Sequence, residues 1–392
     1  MKFREYLMED ALDAIIDYRG KTPEKSDTGI PTLSAKSVKN NHINYEECYY
    51  ISEAEYKRFM VRGFPQKGDI LLTTEAPMGM VAKLDRADVA IAQRLLTLRG
   101  KEGVLDNDYL LYLLQSPYGQ GLLKERETGT TVTGIKQAEF RRIIVKLPDI
   151  TIQKKIGSIL SAIDQKITCN TKINDNLQQQ AVAIFRQWFS VNPESEKWPV
   201  VTLGRLTLLI SRGIAPKYDD DSTQIVLNQK CIRDHYIDTL QARRHKPKVI
   251  NEKWLQYGDL LINSTGEGTL GRAAQVWFVP EKMTVDSHVT IIRPQNQLLL
   301  FYIGLWGISH EREIEALHTG STGQTELPRD RVKAMELRLP DNDTLTRFNA
   351  VIAPMVSTIV VNQQENARLA SVRDTLLPKL MSGEIDVSEI DI

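Results

Sequence analysis

A self-similarity with a period of about 192 residues constrains this 392-residue chain more than any motif, because it limits the fold to two like units in tandem. Arg19-Gly20 with Pro23 recurs as Arg212-Gly213 with Pro216. Leu33, Lys36, Val38 and Ile43 recur as Leu227, Lys230, Ile232 and Ile237. Gly68-Asp69-Ile70-Leu71 returns as Gly258-Asp259-Leu260-Leu261, Thr128-Gly129 as Thr319-Gly320, and Leu147-Pro148-Asp149 as Leu339-Pro340-Asp341. Within each half, apolar and β-rich runs bounded by Gly or Pro predict strands at 69–74, 94–98, 143–147, 259–263 and 289–293. Residues 108–125 and 298–317 read as helices packed on them.

Each half closes on one long helix. Alternating four- and three-residue steps pick out a stripe from Ile156 through Leu160, Asn170, Asn174 and Ala181 to Trp188, and a second from Phe348 through Ile352, Asn362, Asn366 and Arg373 to Leu380. So narrow a stripe suits a coiled-coil seam, and the mate of each helix is its own repeat. An antiparallel alignment would set Asn170 against Asn366 and Asn174 against Asn362, so these four are candidate register residues. Pro354 should kink the second helix or make it restart, since it lacks an N–H and clashes with the carbonyl of Ala350.

Fifty Lys plus Arg balance fifty Asp plus Glu, so a polyanion partner must be held by local patches, and histone-like binding is excluded. Cys48, Cys169 and Cys231 lie far apart with no C-x-x-C pair, which points to a reducing cytoplasm and away from a disulfide framework or structural zinc. The longest mostly apolar stretch, 298–308, falls short of the ~20 residues of a bilayer span, so no membrane segment is expected.

The catalytic motifs are incomplete. Gly266-Glu267-Gly268-Thr269-Leu270-Gly271 fits G-x-G-x-x-G, but residues 272–279 read as strand, so no helix N-terminus follows to hold a pyrophosphate. Asp149, Asp164 and Lys166 superficially match a nuclease pattern, yet the latter two fall on a long helix and the second half has Val356 and Thr358 there. Pro-Asp before a helix is better read as a helix start. No Walker A sequence, H-E-x-x-H or Asn/Asp-Pro-Pro-aromatic methyltransferase motif occurs; Asn192-Pro193 leads into Glu194.

What remains is polar and basic loop chemistry, similar in both halves and suited to base edges and phosphates. Lys36, Lys39, Asn40 and Asn41 answer Lys230, Arg233 and His235. Thr130, Thr131, Thr133 and Lys136 answer Ser321, Thr322, Gln324 and Thr325. Arg243, Arg244 and Lys246, with Lys248, form the densest basic run.

In these features, and in the helix ends Gln180 to Phe189 and Arg373 to Ile385, the whole chain resembles the specificity subunits of type I restriction-modification systems. The resemblance implies an α+β fold with two repeated mixed α/β target-recognition domains, 1–149 and 192–341, separated by a pair of long antiparallel coiled-coil helices, 150–191 and 342–383, before an acidic tail, 384–392. It implies a non-catalytic subunit in which each domain reads half of a bipartite duplex DNA site. The helices would set the spacer and dock two methylase subunits. S-adenosylmethionine, ATP and Mg would act on the methylase and restriction/translocase partners, with no cofactor or metal on this chain. A stand-alone protein-binding scaffold and a stand-alone nuclease are the competing readings.

Overall fold

A computed structural model of the chain describes residues 1–129, 133–320 and 325–390. It divides into two compact units: Met1–Thr168 with Asn366–Ile392, and Cys169–Glu365. The architecture is α+β.

Unit 1 is built on an antiparallel sheet of four strands in the order Leu12–Asp17, Leu95–Gly100, Ile70–Thr73, Val81–Lys83. Ile70 and Leu72 face one core, with Tyr109, Leu110 and Leu113 of the helix Asn107–Gln115, while Leu71 faces the other, with Leu33, Ile51 and Ile91. A strand buried on both faces carries an unbroken apolar run, which is why it is legible without alternation. The second core lies under a three-stranded sheet, Tyr49–Ile51, Ile30–Leu33, Ala90–Ile91. A ribbon of Phe3–Leu7 with Ile144–Pro148 leads into the first long helix.

Unit 2 has the same order. Its four-stranded sheet runs Thr207–Arg212, Val289–Pro294, Leu260–Asn263, Ala273–Gln275, and its three-stranded sheet Arg243–His245, Gln224–Leu227, Met283–Val285. Leu260 and Ile262 again face one core and Leu261 the other.

The recurring Gly-Asp has a structural cause. Gly68 and Gly258 take φ of 96° and 90°, a left-handed turn that favours glycine. The buried carboxylates that follow are each held by an arginine two strands' length away in sequence: Asp69 by Arg99 Nε and Nη2 at 2.8 Å each, and Asp259 by Arg293 Nε and Nη2 at 2.8 Å each.

The long helices span Ile150–Phe189 and Asn342–Ser382, and each contributes to both units. Asp341 starts the second, its carboxylate accepting from the Thr344 amide at 2.8 Å. In unit 1, Ile156 and Leu160 share a core with Leu377 and Leu380; in unit 2, Phe185 and Phe189 pack on Phe348. The segments are therefore antiparallel in each unit. Asn362 Nδ2 donates to Asn174 Oδ1 at 2.8 Å, Asn170 Nδ2 to Glu365 at 2.7 Å, and Asn366 Nδ2 to the Ile167 carbonyl at 3.4 Å.

Two expectations change. The second helix does not restart at Pro354: this residue is exposed, so the carbonyl it deprives of a donor can be met by water, and the helix runs on. A window of that helix also reaches a mean hydropathy of 1.4, enough by length and composition to cross a bilayer, although Phe348, Ile352, Val356 and Ile359 fill the core of unit 2.

Candidate nucleic-acid interface

The residues proposed from sequence fall on three kinds of surface, two of them present in both units and one in unit 2 alone. The first is a short hairpin, Val38–Lys39 with His42–Ile43 in unit 1 and Ile232–Arg233 with Tyr236–Ile237 in unit 2. Lys36, Lys230 and Arg233 are exposed, and Lys39 Nζ lies 4.0 Å from Glu47. The turns are occupied elsewhere. Asn40 Oδ1 accepts from the Val81 amide at 3.4 Å, Asn41 accepts from Gln115 Nε2, and His235 Nε2 sits 3.3 Å from Glu311 while its carbonyl accepts from Gln178. Packing thus turns Asn41 and His235 toward helices of their own unit.

The second part is the edge strand Arg243–His245 of unit 2. Arg243 stacks on Tyr218 at 3.4 Å, Arg244 Nη1 donates to the Ser222 carbonyl at 2.9 Å, and Lys246 is exposed. Between them His245 is buried, its Nε2 without a partner among the described residues.

The third is a hairpin at the end of each four-stranded sheet. Thr128 and Gly134 exchange backbone hydrogen bonds of 2.8 and 3.1 Å, as do Thr319 and Glu326 at 2.8 and 2.9 Å. Thr133 and Lys136 are exposed and Thr325 half-buried, whereas Thr130, Thr131, Ser321, Thr322 and Gln324 lie outside the described residues.

Both hairpins are anchored alike. The Ile135 amide donates to the Thr74 carbonyl at 3.0 Å and the Leu327 amide to that of Ser264 at 2.8 Å. Arg19 Nη2 reaches the Ile135 carbonyl at 3.4 Å, and Arg212 Nη2 that of Leu327 at 3.0 Å. A second cation braces each Arg-Gly turn: Arg62 Nη1 donates to the Asp17 carbonyl at 3.0 Å, and Lys253 Nζ to that of Gly213 at 3.1 Å. Sequence reasoning used Arg19 and Arg212 only to align the repeat. Their recurrence as charged residues was the available signal.

The catalytic alternatives lose their residues. Asp164 accepts from the Tyr112 hydroxyl at 2.7 Å and from Arg373 Nη1 at 2.8 Å, so its carboxylate is held in an ion pair. Gly266 to Gly271 form a loop into the strand Ala273–Gln275. Among the described residues, no group of three or more His, Cys, Asp or Glu is placed to hold a metal.

Residues 14–179 match the family described as type I restriction modification DNA specificity domain. The chain is 28% identical to the type I restriction enzyme MjaIX specificity subunit of Methanocaldococcus jannaschii, over 92% of this chain and 88% of that protein. It is 22% identical to the type I restriction enzyme HindI specificity subunit of Haemophilus influenzae, over 82% and 87% respectively. The fold is similar to the type I restriction-modification S subunit of M. genitalium, with a TM-score of 0.62 at 14% identity over 97% of this chain and 96% of that one. In its duplicated units, its paired helices and these relatives, the chain is similar to the type I restriction-modification specificity subunits.

Proposed function

We propose that this chain is the DNA-reading subunit of a type I restriction-modification complex, in which 1–149 and 192–341 each read half of a bipartite duplex site. The two long helices set the spacer and dock two methylase subunits. Catalysis resides on partner chains: S-adenosylmethionine on the methylase, ATP and Mg on the restriction/translocase subunits, all in the cytoplasm. The observation that carries this reading is the loop-bearing unit that occurs twice with one strand order and one pattern of loop anchoring. A split, asymmetric site needs two such readers with different side chains.

The test is methylome mapping in cells expressing the chain with its methylase subunits. The expected result is one asymmetric motif with an unspecified spacer, lost on deletion of this chain. Methylation by the purified chain alone, or a motif that persists without it, would overturn the reading.

A further inference from the structure

A reader that occurs twice should meet DNA through a surface that occurs twice. The basic edge strand fails this criterion, because the strand in the place of Arg243–His245 in unit 1 is Tyr49-Tyr50-Ile51, without a cation. The short hairpins are duplicated, but Asn41 and His235 in their turns are engaged by Gln115 and Glu311. The sheet-end bridges are duplicated, and the described residues beside them, Gly129 and Thr133 in one unit and Thr319 and Gly320 in the other, are exposed.

One position beside each hairpin differs between the units. The Thr74 amide donates to the Arg94 carbonyl at 3.0 Å, and the Ser264 amide to the His288 carbonyl at 2.8 Å, so Arg94 and His288 occupy the same place against the loop anchors. Arg94 adopts φ 70°, a strained conformation for a residue with a side chain, and such strain concentrates at functional sites. Its side chain is 51% exposed and its Nε lies 2.8 Å from Glu75, a residue bridged to Gly134 at the base of the hairpin. Neither terminal nitrogen of Arg94 makes a hydrogen bond to another described residue. Glu75 thus aims a guanidinium whose fork is open.

In unit 2 the carboxylate has changed sides. Thr265 stands where unit 1 has Glu75 and bonds His288 Nδ1 at 2.8 Å, while the acid is Glu326, 2.5 Å from Arg212 Nη1. With its other terminal nitrogen on Leu327, Arg212 is committed to holding the hairpin. The exposed cationic or hydrogen-bonding group left at this place is an imidazole.

Resting on the function proposed above, we infer that Arg94 and His288 are equivalent specificity-determining residues, each contacting base edges in the half-site read by its own unit. Arg94 offers the bidentate donor pair that suits guanine O6 and N7. His288 offers one ring nitrogen, the other being held by Thr265. The two halves therefore place different donor sets at one structural position.

The test uses the full chain with its methylase subunits and compares wild type with R94H, R94K and H288R. Methylome mapping should show R94H changing or relaxing the first half-site alone and H288R the second alone. Discrimination at the affected base should fall roughly 10- to 100-fold, with thermal melting unchanged. R94K, which keeps the charge without the planar fork, should bind DNA yet lose discrimination. Unchanged motifs in R94H and H288R would overturn the inference. So would uniform weakening with the motif kept and the salt slope reduced by about one, the mark of a phosphate contact. If wild type itself prints no bipartite motif, the failure belongs to the function proposed above.

Discussion

A carboxylate taken out of water is costly unless a cation replaces the lost hydration. At Asp259, 1% exposed, two N–H groups of Arg293 and the amide of Gln256 at 2.8 Å do so. Arg293→Met should therefore destabilise unit 2 by about 3–5 kcal/mol by stranding the charge, read as a lower denaturant midpoint; a loss under about 1 kcal/mol would mean the site collapses or hydrates easily. His245 gives a pH prediction. Burial, and then the charge of Lys248, hold its imidazole below the ordinary value. The unfolded chain then binds the proton more readily than the folded one. Stability should be full above about pH 6.5 and fall as pH drops below it. Melts at about pH 8 and about pH 5.5 should show wild type losing more than His245→Leu. At this scale the sequence is half legible. Gly-Asp stands out as a repeat, but its partners Arg99 and Arg293 lie 30 and 34 positions away, and nothing local announces them. Residue type marks Asn41 and His235 as able to bind base edges, but it carries no information on the direction of a side chain that packing decides.

Strands such as Ile70–Thr73 and Leu260–Asn263 are readable because both faces are buried, and the long helices because a stripe over 40 residues outweighs local noise. Short two-residue strands such as Val38–Lys39 are not, since their pairing depends on a turn at Asn41, φ 67°, rather than on a run. The helices also carry a prediction about spacing. Leu177 and Gln178 would be a poor insertion site, because Gln178 Nε2 donates to the His235 carbonyl and Tyr236 reaches Asp175. Four residues added both after Thr168 and after Glu365 leave those contacts intact. They add about 6 Å at ~1.5 Å per residue. Methylome mapping should then show unchanged half-sites with a spacer longer by one or two base pairs, at ~3.4 Å each. An active variant with the original spacer would place the ruler in the methylase subunits.

Modularity is the property expected of the whole chain. Exchanging residues 1–149 for the matching region of a relative should rewrite one half-site and leave the other, and a change in both would contradict independent reading. Similarity between the halves also creates a hazard, which the ion pair of Asp164 with Arg373 addresses. One period on, the same two positions are Val356 and Ala181, buried in one apolar cluster. If two copies of the first half met helix to helix, Asp164 would confront Ala181, and two copies of the second would set Arg373 against Val356. Either error strands a charge in a half-buried seam, while the correct match strands none. A fragment of residues 1–191 should accordingly bind 192–392 more tightly than itself in sedimentation titrations, and D164V with R373A should erase that preference. Halves of like fold are thereby kept from mistaking a copy for a complement.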